Sequence, residues 1–295
     1  MSWFSLGLLP VFQVSLATLT FILSYVWSVT RNDVSPAFPF ISDTGASRPE
    51  SCFFSQMLNM SAFITFFIMY TRFRYVKLKI NLTNDGEGPK WLPRVNLVST
   101  IFGIIAAFGV SLVANFQDNS DLYLVHFIGA FLAFGLGVLY SILQTAVSYR
   151  LEGLAICRWR LVICVLCVAA GVAMAASWIT ANILWSSGPH TGEKQWWKRN
   201  DAGYTAHICS TALEWLLALG FFLFFLTYVK EFDTIEPEII FRPLVLHDRS
   251  RGNSGGLENG REMSRSEQSI NSLYRQENAE PGERTGLLGA RKWRE

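Results

Sequence analysis

Apolar residues run along this chain in six long stretches, at about 6–29, 52–71, 95–114, 122–147, 161–184 and 205–229, separated by short polar segments. At 1.5 Å of helix rise per residue, each is long enough to cross a hydrocarbon layer of about 30 Å. None alternates with period two, as the strands of a membrane barrel would. The pattern predicts an all-α, polytopic membrane protein. Its six-transmembrane-helix bundle occupies 1–229, followed by a cytoplasmic, mostly disordered tail over 230–295. No basic residue precedes the first stretch and no small-residue cleavage site follows it, so it reads as an uncleaved helix, not a signal peptide.

Composition agrees with the pattern. Of 295 residues, 51% are hydrophobic and 16% charged, against about 25% charged in soluble domains; mean hydropathy is +0.27. From Lys230 onward lie 23 of the 48 Lys, Arg, Asp and Glu. This excludes a soluble globular enzyme and makes the lipid bilayer the first partner of the chain. Basic residues flanking the spans set orientation. Arg72, Arg74, Lys77, Lys79, Lys90, Arg94, Arg150, Arg158 and Arg160 lie in the second and fourth loops, nine against five in the others. Those loops and both termini are therefore predicted cytoplasmic. The glycosylation signals at Asn59 and Asn81 then fall within a helix and on the cytoplasmic side, and both are predicted unmodified.

Inside a membrane an ionisable residue is conspicuous because hydrocarbon solvates charge poorly. Glu214 is the only such residue deep in a span, and His207 lies two turns before it on the same face. His126, Asn59, Asn115, Asn182 and Gln144 add polar groups on other helices. Two readings stay open for the cluster of Glu214, His207, His126, Asn59 and Asn115. One is a proton- or substrate-linked site of a transporter, channel or lipid-handling protein; the other is a hydrogen-bonded Glu that specifies packing. Small residues recur at four-residue spacing as Gly129, Ala133, Gly137, as Gly103, Ala107, Ser111, and as Ala169, Ala173, Ser177. They predict close helix contacts within the bundle. Cys164 and Cys167 read as packing residues. Cys52 and Cys209 both lie near the predicted lumenal side. Cys157, beside Arg158 and Arg160, is a candidate palmitoylation position.

Catalytic patterns do not hold up. Asp43-Thr-Gly matches one half of an aspartic-protease site, but a second copy is absent. There is no phosphate-binding glycine loop, His-Glu-x-x-His or nucleophile elbow. The basic residues form loop anchors, not a nucleic-acid stripe. The chain is therefore expected to be no enzyme, with no catalytic residue, metal or cofactor, and to bind no nucleic acid.

Several segments carry a resemblance. They are Pro39-Phe-Ile-Ser42-Asp43-Thr44-Gly45 with Pro49-Glu50 and Leu58-Asn59, Tyr70-Thr-Arg-Phe-Arg74, Val113-Ala-Asn-Phe-Gln117, Leu143-Gln-Thr145 with Ser148-Tyr149, and Glu214-Trp215 with Phe225-Leu-Thr-Tyr228. In these the chain resembles the DNA damage-regulated autophagy modulators, within the Frag/DRAM/Sfk six-helix membrane proteins. Its end, Glu283-Arg-Thr-Gly-Leu-Leu288, is similar to the tail of the second vertebrate member, while 249–275 departs from it. The resemblance implies a lysosomal (endolysosomal) multi-pass protein, in transit through the Golgi or plasma membrane, that promotes autophagy without a known catalytic act. It names no partner in the autophagy machinery.

Two expectations concern segments outside the helices. Pro36, Pro39, Asp43 and Gly45 predict an ordered first loop capping the helix ends. In the tail, Glu283 four residues ahead of Leu287 and Leu288 fits an acidic-dileucine sorting signal. A clathrin adaptor reads such a peptide in extended form, the carboxylate on a basic patch and the leucines in apolar pockets.

Overall fold

The computed structural model describes residues 5–83, 89–117, 122–191 and 196–236. Six helical spans form. They are α1 (Leu8–Thr30), α2 (Glu50–Thr83), α3 (Trp91–Asn115), a fourth span built from α4 (Tyr123–Phe131), a π-helical segment (Leu132–Leu136) and α5 (Gly137–Leu151), then α6 (Leu154–Ser187) and α7 (Tyr204–Leu226). A single turn, α8 (Val229–Phe232), follows α7. All six spans are long and apolar enough to cross a bilayer. No strand occurs among the described residues. The fold class is the all-α membrane bundle that the six apolar stretches predict.

The spans close into a ring. In sequence order each packs on the next, and α7 returns to touch α1. The distribution of side chains is inverted relative to a water-soluble protein. Phe63, Phe131, Leu166 and Val172 stand on the outside, while Ser24, Ser28, Ser99, Ser210 and Thr211 are buried. An outer surface of aliphatic and aromatic groups suits lipid. Small hydroxylated residues inside let helices approach closely and hydrogen-bond to backbone carbonyls, as Ser24 does to Thr20 O at 2.8 Å.

Close approach is sharpest where α3 crosses the fourth span. A Cβ on Gly109 would lie 2.7 Å from Ala133 N and Gly129 O, and one on Gly129 would lie 2.7 Å from the Leu112 side chain. Gly103 and Gly137 likewise face Met69 and Phe221. The row on α6 differs from expectation. Ala169 is exposed and Ala173 and Ser177 are half-buried, while the packed line is Cys157, Arg160, Cys164, Cys167 and Ala170. Thus α6 seats Cys167 against α7 and Cys164 against α5, and leaves the alanine row less buried.

Helix ends also differ from the hydropathy boundaries. The second span continues to Thr83, twelve residues beyond its apolar stretch, because backbone hydrogen bonding does not stop where basic residues begin. The two ends of the bundle chain meet: the Ser5 hydroxyl donates to the Asp233 carboxylate. The dileucine segment with Glu283, Leu287 and Leu288 lies outside the described residues.

Candidate functional site

Two polar assemblies sit at opposite ends of the bundle. The first is built by the loop after α1. Residues Asp43–Gly45 form one 3-10 turn. Thr44 is fully buried; its hydroxyl donates to Ile41 O at 2.7 Å and lies 3.0 Å from Ser24 Oγ. Gly45 is needed because a Cβ there would sit 2.4 Å from the Phe54 ring. Glu214 on α7 accepts the Ile41 N–H at 2.7 Å, and the neighbouring Trp215 indole donates to Pro39 O at 2.9 Å. Glu50 opens α2, where a carboxylate favours the helix N-terminus, and lies 2.8 Å from Arg31 Nε. The loop is an ordered cap, locked to the first, second and last spans.

Among the described residues the five intramembrane candidates sit at several different junctions of the bundle. Asn59 and Asn115 do pair, amide to amide, at 2.9 and 3.1 Å, with the Ser111 hydroxyl donating to Asn59 at 2.6 Å. His126 Nδ1 lies 2.6 Å from Phe116 O, which pins the turn after α3. His207 stacks parallel on Trp197 at 4.5 Å and meets Phe40 edge-on. Glu214 binds the first loop. Each secures a different junction, and Glu214 and His126 also border a common internal cavity.

The loop before α7 has its own tie. The Asp201 carboxylate accepts the N–H groups of Lys198 and Thr191 at 2.7 and 2.9 Å, and the Thr191 hydroxyl at 3.0 Å. The Lys198 N–H first, then Thr191, holds this carboxyl below the usual aspartate range.

Sequence reasoning missed the second assembly. Arg72, read as a loop anchor, is fully buried; it donates to Gln144 Oε1 at 3.0 Å, to Ser148 Oγ at 3.2 Å and to Glu231. Arg160, also fully buried, donates to Thr227 Oγ1 at 2.9 Å and Ser148 Oγ at 2.6 Å, and lies 2.9 Å from the other Glu231 oxygen. The Tyr228 ring lies between the two guanidiniums, at 4.9 and 4.7 Å, and its hydroxyl meets that of Tyr140 at 2.8 Å. Gln144 passes the network on to Ser99 and Asn96 at 2.7 and 3.2 Å. Lys79 closes its edge through Glu152 at 2.7 Å. Three cations face two carboxylates in a site that joins every span but the first. The signal in the sequence was the placement of Glu152 and Glu231 just past spans whose partners end in arginine.

The cysteines and Asn81 take distinct places in the bundle. Cys157, the candidate palmitoylation position, is fully buried in the bundle. Cys52 and Cys209 are exposed free thiols, and Cys164 and Cys167 are buried ones. Asn81 is exposed in the last turns of α2.

The segments that carried the resemblance converge on these two assemblies. Arg72, Gln144, Ser148, Thr227 and Tyr228 meet at one end; Pro39, Thr44, Asn59, Asn115, Glu214 and Trp215 hold the other. Residues 5–235 match the profile of the Frag1/DRAM/Sfk1/Cwh43P N-terminal domain. The mouse DNA damage-regulated autophagy modulator protein 2 is 38% identical over 258 residues, covering 84% of this chain and 93% of that protein. The human DNA damage-regulated autophagy modulator protein 1 is 36% identical over 234 residues, 78% of this chain and 92% of that one. The Xenopus laevis modulator of macroautophagy TMEM150B-B is 36% identical over 175 residues, 57% of this chain and 71% of that one. No solved structure matches the chain. The chain belongs to the Frag1/DRAM/Sfk1/Cwh43P family of membrane proteins and, within it, to the DNA damage-regulated autophagy modulators.

Proposed function

We propose that this protein promotes autophagy from the lysosomal (endolysosomal) membrane as a non-enzymatic regulator, with both termini cytoplasmic. The observation that carries the reading is similarity along nearly the full length to two proteins named as autophagy modulators. The buried polar groups support a scaffold role: they tie helices and a loop together through side chains already engaged with one another. The tail then supplies the address. Glu283, Leu287 and Leu288 bind a clathrin adaptor, which carries the protein to lysosomes. Partners from the autophagy machinery are recruited at the cytoplasmic face.

The test uses cells lacking the protein, complemented with parent or variant chains. Turnover of an autophagosome marker, read with and without a lysosomal inhibitor, rises on complementation by the parent. Leu287→Ala with Leu288→Ala shifts the protein towards the plasma membrane and removes that rise. Turnover that does not respond to the parent chain refutes the regulatory role. Unchanged overlap of the double variant with lysosomal markers refutes the address.

A further inference from the structure

The ring of spans surrounds a partly open cavity of about 140 Å³, lined by α1, α2, α3, the fourth span, α7 and the first loop. On α1 it runs from Gln13 to Phe21 and on α7 from Glu214 to Phe225, roughly 12 and 17 Å at 1.5 Å per residue. That is about half the thickness of a hydrocarbon core. Its volume is close to that of apolar protein cavities that admit one benzene ring. A space of this size is too small to hold a fused-ring sterol or a two-chain lipid, and accepts part of a single hydrocarbon chain. Ala17, Ala107 and Ala218 keep its walls thin, and the π-helical segment contributes Ala133 and Phe134. A π-helical turn inside an α-helix is a frequent mark of a functional position.

Of the polar groups that border this cavity, Glu214, His126 and Tyr140 are engaged with protein partners, whereas one buried wall group keeps an oxygen without a donor. Gln13 is 4% exposed; its Nε2 donates to Ser61 Oγ at 3.1 Å, and its Oε1 has no hydrogen-bond donor among the described residues. An unpaired amide oxygen in such surroundings is unfavourable, and a ligand that donates to it removes the penalty. A hydroxyl is the fitting group. It is uncharged, so it enters an apolar wall more readily than an ammonium or carboxylate. It also donates and accepts, so it serves either orientation of the amide.

We propose that this cavity binds a single-chain lipid alcohol, its hydrocarbon chain lying between α1, α3 and α7 and its hydroxyl donating to Gln13 Oε1. The site is independent of the autophagy reading.

The test uses the full chain in lipid nanodiscs and three photoreactive diazirine probes of equal length, derived from hexadecanol, hexadecane and hexadecanoic acid. The alcohol probe labels inward residues such as Ala17, Phe21 and Phe221 about tenfold over the alkane, as one hydrogen bond gives. Unlabelled hexadecanol displaces it saturably. Gln13→Met, which keeps the side-chain length, brings the alcohol-to-alkane ratio to about one. Labelling confined to outward residues such as Phe12 and Val172 means annular lipid only and overturns the proposal. Inward labelling equal for all three probes, or not displaced by hexadecanol, also overturns it. Those two readouts come from the parent chain and decide the matter even where Gln13→Met fails to fold.

Discussion

Arg72 and Glu231 lie 159 residues apart in the chain and form an ion pair inside the bundle, with side chains 0% and 8% exposed. The same carboxylate faces Arg160. Glu231 is therefore the carboxylate shared by both guanidiniums, with Glu152, 4.0 Å from Arg72, as a more distant second acid.

Glu231→Gln leaves both arginines without their shared counter-charge and is expected to destabilise the bundle by about 3–5 kcal/mol, the range for breaking a buried pair. Arg160→Met leaves Arg72 and Glu231 matched and should be the milder change. Thermal unfolding of the purified variants in detergent orders them. A Glu231→Gln protein as stable as Arg160→Met would show that the charge count does not govern this site.

Glu214→Gln keeps an acceptor for the Ile41 N–H, whereas Glu214→Leu removes it. The leucine variant is expected to lose about 1–2 kcal/mol, the size of a membrane hydrogen bond, and to release the first loop to protease. The glutamine variant should resist digestion like the parent. Equal digestion of all three proteins would mean that the loop is held without Glu214.

Asp201→Asn should loosen the backbone at 198–201, read as faster amide exchange at Lys198. The folded carboxyl titrates below its usual value of about 3.9. Its contribution is therefore present above that unfolded value and disappears as pH falls through the lower, folded one. The difference between parent and variant is expected to be equal at pH 7.4 and pH 5, and to vanish only in stronger acid. A difference already lost at pH 5 would contradict the assignment.

Gly109→Ala and Gly171→Ala form a matched pair on α3 and α6. The first drives a Cβ to 2.7 Å from backbone atoms of the fourth span; the second meets only Leu217 Cδ2 at 3.8 Å. Melting temperature should fall for Gly109→Ala and stay level or rise slightly for Gly171→Ala, since alanine favours the helix. A fall of the same size for both would indicate that helix spacing is not set at Gly109.

The spans were readable from the sequence because hydropathy is a property of consecutive residues, and Glu214 because a carboxylate ten residues into a span has no ordinary explanation. Arg72 and Arg160 were not readable in that way. An arginine at the end of an apolar stretch is the usual water-facing anchor, and only the convergence of α2, α5, α6 and α8 reveals that these two point inward. The same holds for Gly109: its neighbours Gly103 and Ala107 fit a four-residue row, but which row faces the fourth span depends on the rotation of the helix. The ordered first loop was foreseen from its proline and glycine positions. Its lock was not, since Glu214 and Ile41 are brought together by the closure of the ring.

That lock joins residues 173 positions apart, and this separation acts in time as well as in space. At a synthesis rate of about 5–20 residues per second, Ile41 is added to the chain roughly 9–35 s before Glu214 exists. Arg72 waits almost as long for Glu231. During that interval the nascent protein carries an unfastened loop and a cation without its acid, and both defects are cured by the last span. A chain cut short before α7 retains them permanently. Completion of synthesis is thereby marked in the fold by the closing of these two contacts.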